Sequence, residues 1–332
     1  MSVAGERMGE VEDLRARLHA AGYVAERDLA AAILLMADLE RPLLVEGDAG
    51  VGQTEVAKAL AAARGARLIR LQCYEGLDAH AAMYEWNYQR QLLAIKLLED
   101  DARPVEQKEH DIFSERYLLK RPLLEAISCD APPVLLIDEV DRADEAFEAY
   151  LLERPLLAAI RRAEKPVLLI DEVDRADEEF EAFLLELLSD YQVSIPELGT
   201  ITARSIPRVV LTSNGTRELS DALRRRCLYH YVDFPDIDRE ARILLTRLPG
   251  IDAGLALQVA RLMREIRRQD LRKVPGVVEA LDWAATLAGL GVHDLRQEPE
   301  AVYDTLACVL KTHEDRENIT REVTLRLLSK VA

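Results

Sequence analysis

Arg41 to Ala62 reads RPLLVEGDAGVGQTEVAKALAA. Pro42-Leu43-Leu44-Val45 is a short apolar run of the kind that forms a strand buried on both faces of a parallel sheet. Gly47-Asp48-Ala49-Gly50-Val51-Gly52-Gln53-Thr54 is a glycine-rich turn. Glu55 to Ala62 is rich in helix formers, with apolar positions at Val56, Ala59 and Leu60. Strand, glycine loop and helix N-terminus, in that order, converge backbone N–H groups and the helix dipole on an anion.

The phosphate-loop pattern is GxxxxGK[ST], and the chain supplies GDAGVGQT. Gly47, Gly52 and Thr54 fit it. Gln53 stands where a lysine would reach the β- and γ-phosphates; it can donate a hydrogen bond but carries no charge. The loop can still cradle phosphate through its backbone, with Thr54 as a magnesium ligand. Catalytic support is weaker without the cation, because charge neutralisation carries much of phosphoryl transfer.

With 332 residues, 49% of them hydrophobic and 31% charged, the chain has the composition of one or two globular domains. A net charge of −17 argues against a nucleic-acid-binding surface. It leaves room for a local basic site for ATP, for which Arg224-Arg225-Arg226 is a candidate. Cys73, Cys129, Cys227 and Cys308 are far apart and form no C-x-x-C, so reduced thiols are expected. No apolar run approaches the roughly 20 residues that span a bilayer. The first residues lack the apolar core of a signal peptide, so a cytoplasmic protein is expected.

Along the chain, helices are expected over Val11–Ala20, Asp28–Leu39 and Tyr84–Glu99, a strand over Arg67–Leu71, and a charged loop over Asp100–Asp111. A tandem duplication follows. Residues 117–149 read YLLKRPLLEAISCDAPPVLLIDEVDRADEAFEA, and residues 150–182 read YLLERPLLAAIRRAEKPVLLIDEVDRADEEFEA. Two units are too few for a solenoid, so the repeat reads as a duplicated helix–strand–helix segment inside a larger fold.

Each copy carries VLLIDE, an apolar strand ending in paired carboxylates, Asp138-Glu139 and Asp171-Glu172. Beside a phosphate loop the aspartate can hold magnesium through water, and the glutamate can polarise an attacking water. A buried strand capped by solvated acids is the plainer alternative. Pro207 to Asn214 is a further apolar strand, and Asn214 at its end can orient the attacking water or simply open a turn. Asp221 to Arg226 is helical. Its arginines can reach a neighbouring subunit's γ-phosphate, or favour the helix dipole at a solvated end. From Pro235 on, helices are expected over Asp238–Thr246, Gly254–Arg268, Val277–Leu290, Glu300–Thr312 and Thr320–Val331.

Phosphate loop, Asp-Glu strand, polar strand end, arginine cluster and helical C-terminal region, in that order, resemble an AAA+ ATPase. The resemblance covers nearly the whole chain. It is closest to the MoxR branch, and within it to the CoxD-like group associated with carbon monoxide dehydrogenase maturation. The matching stretches are LLVEGDAGVGQTEVAKALA, RLIRLQCYEGLDAHAAMYEWNYQRQLLAI, IFSERYLLKRPLLEAI, DEAFEAYLLE, LSDYQVSIPELGTITA and ALRRRCLYHYVDFP. The resemblance implies a P-loop α/β parallel sheet flanked by helices over 1–235 and an all-helical lid over 236–332. It makes Gly47–Thr54 the Walker A loop, Asp-Glu of VLLIDE Walker B, Asn214 sensor 1, and Arg225 or Arg226 the arginine finger. Lys273-Val274-Pro275-Gly276 lies where sensor 2 chemistry would begin. It further implies ATP and magnesium as cofactors, a ring-shaped hexamer, a von Willebrand factor A-domain partner, and a client metalloenzyme that the ring remodels or helps mature.

Gln53 and the doubled Walker B are departures from the family, and they motivate a second reading: a nucleotide-binding scaffold without turnover. DNA-linked motor work is remote, given the charge and the lack of a DNA-binding motif. Between the copies, loop closure favours the second as Walker B. The path from Asp171 to Asn214 is short, whereas the upstream path holds a charged loop that absorbs inserted residues at low entropic cost. Copy one would then be an extra strand at the sheet edge or displaced from it, with a helix over Asp144–Arg162 leading to copy two.

Overall fold

The computed structural model describes residues 3–73, 84–97, 118–120, 134–139, 167–176, 180–182, 184–185, 188, 192–195, 199–202 and 208–331. The loop expected over Asp100–Asp111, the helix over Asp144–Arg162, Cys129 and most of both repeats lie outside these residues. The chain divides into two compact units. One takes Met1–Leu34, Val45–Arg64 and Tyr229–Ala332, the other Leu35–Leu44 and Gly65–Leu228.

In chain order the first elements are α1 (Val3–Ala20), α2 (Arg27–Leu39), β1 (Leu43–Gly47), α3 (Gln53–Arg64), β2 (Leu68–Gln72), β3 (Tyr84–Trp86), α4 (Tyr88–Leu97) and β4 (Leu118–Lys120). There follow β5 (Val134–Asp138), β6 (Val167–Ile170), β7 (Gln192–Ile195), β8 (Gly199–Thr202), β9 (Arg208–Ser213), α5 (Asp221–Arg226) and β10 (Leu228–Val232). Within the second unit the strands of the main sheet run in the order β9-β6-β5-β2.

Within the second unit, β2, β5, β6 and β9 pair in parallel. Their cores are Ile69 and Leu71, Val134 to Ile137, Val167 to Ile170 and Val209 to Leu211, all buried. Unbroken apolar runs are what strands covered on both faces require, and each fully buried Leu or Ile contributes roughly 1.5–3 kcal/mol. The duplicated strands lie side by side in matched register, Val134 against Val167 through Ile137 against Ile170. Copy one is therefore neither at the edge nor displaced. It sits between β6 and β2, and β2 ends the sheet among the described strands. Loop-closure entropy bears on the cost of an insertion but says nothing about which slot the inserted strand takes. A second identical strand pairs with its own copy because every residue finds the partner that suited the original.

The expected helix from Tyr84 begins later. Tyr84–Trp86 pairs antiparallel with Leu118–Lys120. Asn87 then caps α4, its side-chain oxygen accepting the Arg90 N–H at 3.0 Å, and such a cap fixes the helix start. β7 and β8 form a second antiparallel pair that the apolar pattern did not announce.

In the other unit, the C-terminal helices are α6 (Ile237–Arg247), α7 (Ala253–Arg267), α8 (Val277–Gly289), α9 (Pro299–Asp304), α10 (His313–Asn318) and α11 (Arg321–Ser329). Asp236, Asp252, Thr312 and Thr320 cap four of them through side-chain oxygens. Trp283, Leu255, Met263, Leu287 and Leu306 anchor one apolar core. Glu300–Thr312 is not one helix: after α9 the chain tightens into a 3-10 turn over Thr305–Cys308. The Thr305 hydroxyl donates back to Ala301 O at 2.6 Å and accepts the Trp283 indole N–H at 2.8 Å. Such back-bonding competes with the regular ladder.

Candidate functional site

The phosphate loop lies in the unit that holds the C-terminal helices. β1 ends at Gly47 and α3 begins at Gln53, so Asp48 to Gly52 make the turn. Gly50 and Gly52 have φ of +85° and +98°, a region that favours glycine. At Gly47 a Cβ would stand 2.4 Å from the Val232 carbonyl oxygen. Glycine is thus required at 47 by that close approach and favoured at 50 and 52 by the backbone conformation, which fits a backbone cradle for a bound phosphate chain. Gln53 is buried, and its amide Nε2 donates to the Gly47 carbonyl oxygen at 2.7 Å. The residue in the lysine position acts as a neutral clasp across the loop.

A cleft of about 360 Å³ opens beside the loop, bordered by Gly50, Val51 and Gly52 on one side and by Tyr23, Ile243 and Val278 on others. Its size and largely apolar walls suit a nucleobase with its ribose. Glu55, on the first turn of α3, faces the same cleft and pairs with Arg247 at 3.1 Å.

The acidic strand ends lie in the other unit. After β6 the chain turns at Glu172 with φ of 53°, and after β5 it turns at Glu139 with φ of 55°. A non-glycine residue in this left-handed region costs about 1–2 kcal/mol, and both copies bear it at the same residue. In copy two the turn is tied to β9. The Thr212 hydroxyl donates to the Asp171 carboxylate and accepts the Glu172 N–H. The Asn214 amide donates to Glu172 Oε1 at 2.7 Å. Buried Asp174 accepts the N–H groups of Asn214 and Thr216 at 3.2 and 2.8 Å. Burial pushes the Glu172 carboxyl above its ordinary value. Arg175 and Asn214 oppose that shift, and the charges of Asp171 and Asp138 reinforce it. A carboxylate raised in this way is better matched to proton transfer near neutrality.

Copy one faces different neighbours. Asp138 pairs with Arg70, and Glu139 accepts from the Gln72 amide at 3.2 Å, both partners lying on β2. Among the described residues no group of three or more His, Cys, Asp and Glu side chains is arranged to hold a metal ion by itself.

The arginine helix α5 starts on a Ser220 cap and carries Arg224, Arg225 and Arg226 in its last turn. Arg225 is exposed. The Arg41 guanidinium donates to the carbonyl oxygens of Arg225, Arg226 and Cys227 at 2.6, 3.0 and 3.3 Å. It satisfies the last carbonyls of the helix.

Thus Asp171, Glu172 and Asn214 come together, Asp138 and Glu139 form a separate pair on β2's side, and Gly47 to Thr54 form the cradle. Sequence reading missed Arg41, Thr212, Asp174 and the cleft residues Tyr23, Ile243 and Val278. Thr212 carried a signal: it is a hydroxyl near the end of β9, two residues before Asn214, a spacing that puts both on one face of an extended chain. Asp174, in the repeated VDRAD, was equally visible. The cleft residues had no local signature.

The family model for the ATPase family associated with various cellular activities (AAA) matches residues 43–153. That for the AAA domain of the dynein-related subfamily matches residues 146–227. The first match takes the phosphate loop and copy one; the second takes copy two, Asn214 and the arginines. No curated protein matches. Among solved structures, a point mutant of Thermotoga maritima RuvB is similar over 96% of this chain and 72% of its own, at 14% identity and a TM-score of 0.41.

Proposed function

From the premise that residues 43–227 carry AAA-type ATPase sequence, we propose that the chain is a MoxR-type AAA+ ATPase of the CoxD-like group. It binds Mg-ATP and couples hydrolysis to remodelling or maturation of a metalloenzyme client, one similar to carbon monoxide dehydrogenase. The observation that carries the enzymatic part is the Asp171-Glu172 strand end bonded to Thr212 and Asn214. In this reading Gly47 to Thr54 hold the phosphates, with Asp48, Ala49, Gly50 and Val51 contributing backbone. Thr54 would be the loop's magnesium ligand and Asp171 that of the acidic strand end, and the cation would supply charge neutralisation for the phosphates. Glu172 accepts a proton from the attacking water, Asn214 orients that water, and Arg225 or Arg226 serves the site of the next subunit. The core runs over 1–235 and the helical lid over 236–332. The chain works as a hexameric ring in the cytoplasm with a von Willebrand factor A-domain partner; no described helix is long and apolar enough to cross a membrane.

One observation favours a second reading. The Gln53 amide is turned onto Gly47 O, so the loop supplies no cation of its own, as expected of a subunit that binds nucleotide without turning it over. Magnesium-dependent ATP hydrolysis by the parent, Gln53→Lys and Glu172→Gln decides between them. Hydrolysis by the parent that Glu172→Gln abolishes supports the enzyme. A silent parent that Gln53→Lys awakens supports the scaffold. Silence in both, with no ATP binding, overturns the nucleotide reading.

A further inference from the structure

The loop ending at Gly276 meets the phosphate loop backbone to backbone. The Val277 N–H donates to the Gly50 carbonyl oxygen at 2.9 Å. A Cβ on Gly276 would stand 2.7 Å from that oxygen and 2.9 Å from the Gly50 carbonyl carbon and Cα, closer than side chains ever come. A Cβ on Gly50 would stand 3.2 Å from Gly276 Cα. Each glycine is fixed by the other.

The Gly276 side is held firmly. The Arg267 guanidinium donates to Pro275 O at 2.9 Å and to Gly276 O at 3.3 Å. The same group bridges both oxygens of Glu240 at 2.8 and 2.6 Å and lies 4.8 Å over the Phe234 ring. The Arg267 and Glu240 side chains are only 8% and 1% exposed, where hydrogen bonds are strong and misalignment is costly. Further up the loop, the Asp315 carboxylate accepts the N–H groups of Arg272 and Lys273 at 2.7 and 3.1 Å. Glu279 accepts the Gly276 N–H at 3.0 Å.

We infer that Gly276 and Val277 are positioning residues for the phosphate loop, and that Arg267 acts through them: the contact holds the Gly50 peptide so that the loop is in its anion-binding shape before nucleotide arrives. The inference rests on the reading of Gly47 to Thr54 as a nucleotide-phosphate site. A loop with three glycines has much backbone freedom to lose, and ordering it on binding would subtract from affinity. A fixed apex removes that loss. The Lys273–Gly276 segment thus meets the loop through its backbone and not through a charged side chain. The residues opening α8, Val277 and Val278, are apolar and border the cleft.

The test is competition binding of ATP and of adenosine, with magnesium, to the full chain and to Gly276→Ala and Arg267→Lys. Arg267→Lys keeps a cation beside Glu240 but loses the donation to the two loop carbonyls. For Gly276→Ala the ATP dissociation constant is expected to rise at least about tenfold while adenosine binding holds; Arg267→Lys is expected to follow in the same direction. Equal loss for ATP and adenosine indicates a general structural role and overturns the inference, as does unchanged ATP affinity. Should Gly276→Ala not fold, Arg267→Lys decides by the same criteria. A parent that binds no ATP defeats the nucleotide reading itself, an outcome distinct from a parent that binds and a variant that binds equally well.

Discussion

Two strands of this protein have the same sequence, the same register and the same left-handed glutamate at their ends, yet they end in different chemistry. Copy two abuts β9, where a threonine and an asparagine take hold of Asp171 and Glu172. Copy one abuts β2, where Arg70 takes Asp138 and Gln72 takes Glu139. The lesson is that an Asp-Glu strand end acquires its role from the neighbouring strand. Asp138 is engaged by a guanidinium and Asp171 by a hydroxyl, so the same carboxylate meets a charged partner in one copy and a neutral donor in the other.

The sharpest way to break this contrast is at the glutamates. Glu172→Gln is expected to lower ATP hydrolysis by about 10²–10⁴-fold, the usual range for a general base, and Glu139→Gln by less than about threefold. Reversed results in a steady-state assay would move the catalytic role to copy one. A second contrast is in stability. Thr212→Val leaves a buried carboxylate without its donor and a backbone N–H without its acceptor, with an expected loss of about 1–3 kcal/mol in urea unfolding. Arg70→Ala breaks a pair whose arginine is half exposed, so solvent screening limits the expected loss to under about 1 kcal/mol. Equal losses would mean that the two strand ends are held alike.

The smallest expected effect is on pH dependence. Glu172 must be ionised to accept a proton, and burial raises its carboxyl. Hydrolysis should therefore fail on acidification at a higher pH than an ordinary glutamate would dictate. Arg175 and Asn214 lower the carboxyl and Asp138 raises it. Arg175→Gln should shift the acid limb of kcat/KM upward, and Asp138→Asn should shift it downward. No shift with Asp138→Asn would show that the two strand ends do not sense each other's charge.

What the sequence made legible were features written in consecutive residues. The apolar runs of β1, β5, β6 and β9 declared buried parallel strands, and the glycines at 47, 50 and 52 declared a backbone cradle. Asn214 and Glu172, proposed separately, prove to share a hydrogen bond. Arg41 looked like a charge before a strand; its work, ending α5, depends on residues about 185 positions away in the chain. Gly276 closes the segment matched to sensor 2, and nothing local tells that Gly50 lies against it. Tyr84–Trp86 shares the helical pattern that runs on through Leu97, and only the Asn87 cap marks where strand gives way to helix.

The matched pairing of β5 with β6 has a geometric consequence. A 33-residue insertion placed in register turns no side chain to the opposite face; it works as a pure translation, moving β2 sideways by one inter-strand spacing of about 4.8 Å. Among the described strands of this unit the edge is thus still β2, carried outward intact. Any neighbour that once touched both that edge and the strands near β9 would now find its two footholds a strand's width too far apart.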